Sequence, residues 1–450
     1  MLAVNLVLSG NIKRPMYLRL ADYYKEEIRT GRLPGGARLP SIRKLAAALG
    51  ASRTTVETAY ALLLAEGFII SEPKRGYKAV GNGTPSASAP ESPEEQMPRP
   101  ALLYDFASNY VDVRSLNTSL WRRCVTNTLK EPRNVAAYGL PQGETRLREV
   151  LAKYSYEARG VIATAEQIVI GAGIQSLLQI LLSLLSDGQK SAAIEEPGFP
   201  KAERIFRDHG WRVQAFQTEK LSKELPPLIL VSPSNPYKGS TLSAEERLAL
   251  LAWSRQTGGM IIEDDYNGEF RYFARPIGAL QGLAGGANVI YLGSFSRILM
   301  PSLRISYMVL PPALLERYRK ASALYNQTSS TIEQLTLAEF IAGGHLRRHV
   351  RRLRKLYADK NSLLRQALSE SFAARAEVKS YASGLHVRLS VQTADSVEML
   401  VSKAAAVGVG IIPVSEQAAT CSPEILLSFA GIAEADIKPA IELLKQAWFG

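Results

Sequence analysis

Two groups of residues in this sequence have the types and spacing that carry chemistry. The first is the stretch YLGSFSRILMPSLRIS, residues 291–306. Ser294, Ser296, Arg297 and Arg304 stand there between apolar runs. Hydroxyls and guanidinium groups on a loop between buried segments suit a small anion. The second group is Ser52, Arg53, Thr54 and Thr55, with Arg38, Ser41 and Arg43 before it and Lys74, Arg75 and Tyr77 after it. Arginine can grip a guanine edge with two hydrogen bonds, and hydroxyls and ammonium groups reach phosphates. That chemistry suits duplex DNA.

The elements that must position the second group are short helices. PMYLRLADYYKEEIRTG (15–31) has a helical period and stops at Gly31. ARLPSIRKLAAALG (37–50) follows, with Ser41 as N-cap and Gly50 as stop, and then ASRTTVETAYALLLAEG (51–67), with Ser52 as cap. FIISEPKRGYKAV (68–80) reads as two short strands around a turn at Pro73–Gly76. Three helices and a β-wing describe a winged helix-turn-helix, whose second paired helix presents its N-terminal residues to the major groove. On that reading Arg53 faces bases, while Arg38, Ser41 and Arg43 meet the backbone. Lys74, Arg75 and Tyr77 dress the wing. A second reading stays open for Ser52 and Thr55, which can serve only to cap the helix.

Charge supports the DNA reading. Residues 1–80 hold 13 Lys/Arg and 6 Asp/Glu, so +7 of the net +12 sits in this segment. The segment GNGTPSASAPESPEEQMPRP (81–100) then reads as a flexible linker. The expected organisation is a DNA-binding module at 11–80, the linker at 81–100 and an effector and dimerisation domain at 101–450. Its large lobe spans about 125–330 and its small lobe about 340–450.

The first group must be positioned by an α/β domain. QIVIGAG, SAAIEEP, RVQAF, LILVSP, MIIEDDY and NVIYLGSFS, between 167 and 296, read as buried strands separated by amphipathic helices. A mostly parallel, doubly wound sheet binds ligands beyond the carboxyl ends of its strands, where these polar residues fall. GLHVRLSV (384–391) and ILLSFAG (425–431), with helices around them, predict a smaller α+β lobe. The composition, 46% hydrophobic and 21% charged, is that of a globular protein with large cores. No apolar run reaches membrane-spanning length. MLAVNLVLSG lacks a basic n-region, which predicts no export. Cys124 and Cys421 have no metal or redox spacing, as expected in a reducing cytoplasm.

RLPSIRKLAAALGASRTTVETAYALLLAEGFI resembles the winged-helix domain of the GntR family of bacterial regulators. YGLPQGETRLREVLAKYSYEARG (138–160), GAGIQSLLQIL (171–181), EEPGFP (195–200), IIEDDYNGEF (261–270) and GSFSRILMPSLR (293–304) together resemble fold-type I pyridoxal-phosphate aminotransferases. The combination is similar to the MocR/GabR subfamily, which implies a dimer that senses a small-molecule effector. For a pyridoxal phosphate site, the resemblance implies phosphate contacts from Gly173, Ile174 and Gln175 at a helix start, with Ser294, Ser296 and Arg304. It implies Asp264 at the pyridine nitrogen, Tyr266 and Asn235 at the ring's 3′-oxygen, and Phe199 stacked on the ring.

Two departures from the resemblance matter. Family members carry a Schiff-base lysine where Arg297 stands, and a guanidinium, with a pKa above ~12, does not lose the proton this chemistry needs. A carboxylate-binding arginine is expected where this chain has Gly431. Three readings of Arg297 are open: a contact to phosphate or ligand carboxylate in a noncovalent site, decay in a pseudoenzyme without cofactor, or a substitution introduced into the chain. The expected function is a cytoplasmic, DNA-binding transcriptional regulator that senses a pyridoxal-phosphate-related or other small anionic ligand and is not an enzyme. The rivals are an aminotransferase with a DNA-binding appendage and a ligand-free DNA-binding dimer. The basic run GGHLRRHVRRLRKLYADK (343–360) is read either as a phosphate contact or as a structural helix between lobes.

Overall fold

Ser41 and Ser52 begin helices because each side-chain hydroxyl accepts an otherwise orphaned backbone N–H, from Lys44 at 3.4 Å and from Thr55 at 3.1 Å. Between them Gly50 takes the left-handed conformation (φ 60°) that closes one helix and lets the next turn away. The computed structural model describes residues 14–73, 75–80, 102–185, 188, 190–235, 237–238, 241–270, 278–322, 326–379, 384–414 and 422–450. The chain packs as two units, Met1–Pro98 and Arg99–Gly450. The expected linker and Cys421 lie outside the described residues. No described helix is long and apolar enough to cross a membrane.

The first unit has α1 (Met16–Arg29), α2 (Ile42–Leu49) and α3 (Arg53–Ala65), then β1 (Ile69–Glu72) and β2 (Gly76–Ala79) paired antiparallel. Leu20, Tyr24, Leu45, Val56, Tyr60 and Leu63 meet in its core. Each such side chain contributes roughly 1.5–3 kcal/mol by leaving water. The Tyr60 hydroxyl donates to the Pro40 carbonyl (2.9 Å), which ties α3 to the approach to α2. This is the winged helix-turn-helix that the caps and periodicity predict.

In the second unit β3 is Tyr104–Asp105. The large-lobe strands are β4 (Ile168–Gly171), β5 (Ser191–Glu195), β6 (Arg212–Phe216), β7 (Leu228–Val231), β8 (Met260–Asp264), β9 (Val289–Ser294) and β10 (Ser306–Val309). They form one seven-stranded sheet in the order β4-β10-β9-β8-β7-β5-β6. The sheet is parallel except for β10, which runs antiparallel to both β4 and β9. β10 has no counterpart among the strands expected from the sequence. Parallel neighbours need a long crossover; the connection Phe295–Ile305 holds only a short turn at Pro301–Leu303, so the chain returns antiparallel. That return sets Ser306 beside both Gly171 and Ser294. It gathers the start of the helix Ile174–Leu184 and the 294–304 loop at one sheet end.

The small lobe has β11 (Ala376–Val378), β12 (His386–Val391), β13 (Val409–Gly410), β14 (Ile412–Pro413) and β15 (Glu424–Ser428). β11, β12, β15 and β14 form an antiparallel sheet, while β13 pairs in parallel with β3. So residues near 104 join this lobe, which the expected range of about 340–450 leaves out. The helix His345–Phe372 serves both lobes: Val350 packs in a large-lobe core, and Leu353 to Phe372 pack under the small-lobe sheet.

Candidate nucleic-acid interface and ligand pocket

The basic residues of the first unit are differently engaged. Arg14, Lys25, Arg32 and Lys78 are ion-paired with Asp22, Glu66, Glu27 and Glu72. Arg38, Arg43, Lys44, Arg53 and Arg75 are exposed and have no ion pair among the described residues. These five lie at or beside α2, α3 and the wing, whereas Arg19 and Arg29, also without an ion pair among the described residues, belong to α1, with Arg29 over the Phe68 ring. Arg53 is the first residue of α3, where Thr54 is also exposed. Ser52 and Thr55 are occupied with each other, their hydroxyls 2.8 Å apart, which is the capping arrangement. Ser41 likewise caps α2. Tyr77 turns its ring edge-on to Tyr60 at 4.9 Å and packs against the core. Lys74 lies outside the described residues.

The pocket residues come from the carboxyl ends of neighbouring strands. Asp264 ends β8 opposite Leu292 of β9 and is buried. Burial, and then the adjacent Asp265 carboxylate, push its carboxyl up to about 7. Asp265 itself is held by Arg159 (2.6 Å) and by the Tyr291 hydroxyl (2.8 Å). A buried acid so destabilised as an anion is suited to a cationic partner such as a protonated pyridine nitrogen.

The phosphate end has a cradle. Gly173 (φ 95°) precedes the helix Ile174–Leu184 and offers no side-chain cap, so the amides of Ile174 and Gln175 keep their direction toward a ligand. A Cβ on Gly173 would run into the Arg304 guanidinium. Arg304 holds a left-handed backbone (φ 53°), a strained conformation for a non-glycine residue, and Nη2 donates to the Ala172 carbonyl (3.3 Å). The Ser294 hydroxyl accepts from the Ser296 amide (3.3 Å) and lies 3.1 Å from that of Ser306. These donors fit a phosphate.

The ring end is different. Arg297 is 4% exposed. Its Nε donates to the Tyr266 hydroxyl at 2.8 Å, Nη2 contacts that hydroxyl and Asn109 Oδ1, and the guanidinium lies 5.3 Å from the Tyr266 ring centre. Nη1 has no hydrogen-bond partner among the described residues. His386 is buried nearby; burial and then the Arg297 charge push its imidazole down to about 3, so it is neutral. Asn235 spends its amide on backbone groups, accepting from Tyr237 N (2.9 Å) in its own loop and donating to the Pro197 carbonyl after β5. Phe199 is half-buried against the large-lobe core. Gly431 lies against Tyr110 and Ser108, where a Cβ would stand 2.9 Å from the Tyr110 Cβ, so a larger residue there would need those neighbours to move.

Sequence reasoning missed several residues. Asn109 has no local signal, since its contact is with Arg297, far along the chain. His386, Arg388 and Ser390 alternate with Val387, Leu389 and Val391, a pattern that marks one polar face of β12. Arg388 donates to the Tyr237 carbonyl (2.6 Å) and to Glu424 (2.9 Å), a strap from small lobe to large. Lys360 is fully buried between Asp112 (2.7 Å) and the Ala430 carbonyl (2.9 Å). In the basic run, Arg347 pairs with Glu157 and Arg354 donates to the Glu269 carbonyl (2.6 Å), so these two are structural. A polar cleft of about 260 Å³, lined by residues such as Asn134, Tyr138, Gln327 and Ser329, borders the phosphate cradle, where the Ser329 hydroxyl donates to the Arg304 carbonyl (3.5 Å).

Residues 16–78 match the family described as bacterial regulatory proteins, gntR family. Over 463 residues the chain is 37% identical to the uncharacterized HTH-type transcriptional regulator YdeL of Bacillus subtilis, with 98% of each chain covered. It is 30% identical over 471 residues to the probable rhizopine catabolism regulatory protein MocR of Rhizobium meliloti, covering 98% of this chain and 96% of that one. The chain belongs to the MocR-type GntR regulators. Members of this kind join a DNA-binding winged helix to an aminotransferase-like domain, and so does this one. The solved kynurenine aminotransferase of Pyrococcus horikoshii, in complex with PMP, superposes on 77% of this MocR-type chain and 90% of its own (TM-score 0.68). At 20% identity that likeness shows the fold.

Proposed function

We propose that this MocR-type regulator binds DNA as a homodimer and senses, without a Schiff base, a pyridoxal-phosphate-class ligand in the pocket of its aminotransferase-like domain. The observation that carries the reading is Arg297. It is a permanent cation, nearly enclosed, with no carboxylate partner among the described residues, at the point where the pocket meets Asn109. The residues around it fit such a ligand. Arg304, Gly173, Ile174, Gln175, Ser294 and Ser296 would hold the phosphate, Asp264 the pyridine nitrogen, and Tyr266 the 3′-oxygen. When bound, the group supplies an aromatic dianion-bearing anchor; in this chain it is a signal and not a reagent, because a guanidinium neither attacks a carbonyl nor shuttles a proton at neutral pH.

The coupling runs through this chain's own contacts. Asn109 belongs to the segment that opens the effector unit, directly after residues 81–100, and its side chain shares the Arg297 guanidinium with Tyr266. A ligand that takes hydrogen bonds from Arg297 competes with Asn109. Ligand and DNA affinities are then linked by as much as the ligand's preference for one arrangement over the other.

The test titrates purified protein with pyridoxal phosphate beside Arg297→Lys. Saturable binding by the unaltered protein without the absorbance of a protonated imine, and gain of that band by the lysine variant, is the expected result. DNA affinity and bend are measured in parallel. The same DNA affinity, spacing preference and bend with and without saturating ligand would sink the coupling, and turnover of amino acid with oxo acid would restore the enzyme reading.

A further inference from the structure

We infer that the ligand is a 5′-phosphorylated pyridoxyl-type compound with a carboxylate at its 4′ carbon or on the group attached there, and that Arg297 binds that carboxylate. The inference rests on the reading that the pocket takes a pyridoxal-class ring, and it adds which member of the class.

Arg297 carries an unmet charge. It is pinned by Tyr266 and Asn109, both neutral, and Nη1 is buried with no acceptor among the described residues. No Asp or Glu lies within ion-pair distance of it among the described residues. A buried cation without a counter-charge is costly, and hydrogen bonds to neutral oxygens recover only part of that cost. A ligand that delivers an anion to Nη1 therefore gains more here than one that delivers a neutral group.

The residue after Tyr266 in the chain is a second unsatisfied polar side chain. Asn267, 1% exposed, leaves both side-chain amide atoms without a hydrogen-bond partner among the described residues. It lies against Gly384, where a Cβ would stand 3.3 Å from Nδ2, at the start of the segment that leads to His386.

The two arginines of the pocket divide the labour. Arg304 lies over Gly173 at the helix start and serves the phosphate end. Arg297 is held at the hydroxyl of Tyr266, which the reading above assigns to the 3′-oxygen. The 4′ substituent is next to the 3′-oxygen on the ring, so Arg297 stands beside it. Two arginines at two ends suit a ligand with two anionic ends. A primary ammonium at 4′, as in pyridoxamine phosphate, would face the guanidinium with nothing to offset it. A carboxylate there forms a charge-assisted pair, and a guanidinium is the side chain best shaped for it. Two sources supply that chemistry: a ring oxidised at the 4′ carbon, or an amino acid joined to the ring through its nitrogen.

The test uses the full-length protein and calorimetric titration. N-(5′-phosphopyridoxyl)glycine and N-(5′-phosphopyridoxyl)methylamine differ only in the carboxylate. The glycine conjugate is expected to bind on the order of tenfold to a hundredfold more tightly, as for one buried hydrogen-bonded charge. Arg297→Gln should abolish that preference, and Arg297→Lys should keep part of it. 4-Pyridoxic acid 5′-phosphate separates the sources. Binding tighter than the glycine conjugate assigns the carboxylate to the ring; weaker binding assigns it to an amino acid. Equal, saturable binding of the glycine and methylamine conjugates overturns this inference and leaves the pyridoxal pocket standing. Binding of none of the three overturns both. The deciding comparison is made in the unaltered protein, so it does not depend on how well any variant folds.

Discussion

The DNA-binding unit and the ligand pocket both use arginine, but in opposite settings. In the winged helix, Arg38, Arg43, Arg53 and Arg75 are exposed and unpaired among the described residues, ready for phosphates and base edges. In the effector unit, Arg297 is enclosed and held by Tyr266 and Asn109, while Arg159 is locked to Asp265. Exposed arginines cost folding little and gain their energy on binding. Buried ones are part of the fold and must be compensated inside it. Substitutions should therefore change stability in one region and affinity in the other.

The largest expected effect is at Lys360, whose ammonium is enclosed with Asp112. Burial pushes the Asp112 carboxyl up, but hydrogen bonds from Arg114 and Lys360 outweigh it and hold it at about 2. Lys360→Met removes one partner of a buried pair and should destabilise the effector unit by about 3–5 kcal/mol, read by denaturant unfolding. Arg53→Ala in the same assay should stay within about 0.5 kcal/mol of the parent. An unmoved midpoint for Lys360→Met would erase the contrast.

Next is Asp264, with a sign that depends on pH. Its folded value of about 7 lies above its ordinary value of 3.8. Between those values the native state keeps a proton that the unfolded chain has lost, so stability falls as pH rises through this window. Asp264→Asn has no such loss. The ligand-free variant should match the parent near pH 4 and exceed it at pH 8 by on the order of a few kcal/mol. It should also lose pyridoxal-class ligands. A stability difference independent of pH would show that Asp264 is not a destabilised carboxylate.

Arg53→Ala should weaken binding to the cognate operator by roughly 1–3 kcal/mol and relax preference at one base position. The readout is an electrophoretic or fluorescence titration against single-base operator variants; uniform weakening across all of them would reassign Arg53 to the backbone. The smallest effect is at Arg43. Its alanine variant should reduce the slope of log affinity against log salt by about one, with sequence preference unchanged. An unchanged slope would remove Arg43 from the phosphate contacts.

What the sequence determined is what depends on neighbours along the chain. Ser41, Gly50 and Ser52 mark helix ends because a cap acts across three or four residues, and the winged helix follows those marks. The alternation of apolar strands and amphipathic helices carries the doubly wound class, and the position of Asp264 and the 294–304 loop at strand ends follows from it. Only the tertiary structure decided the rest. β10 runs antiparallel because its connection is too short to cross over, and that return brings Ser306 between Gly171 and Ser294. Tyr77 lies on the wing strand β2, as expected, but its ring packs on Tyr60, because the wing folds back over the core. Asn109 reaches Arg297, Arg388 straps the lobes, and Lys360 is enclosed through contacts between residues far apart in sequence. Capping and periodicity are local and leave a pattern in the chain. A buried charge and its partners are chosen by packing, which no short stretch of sequence records.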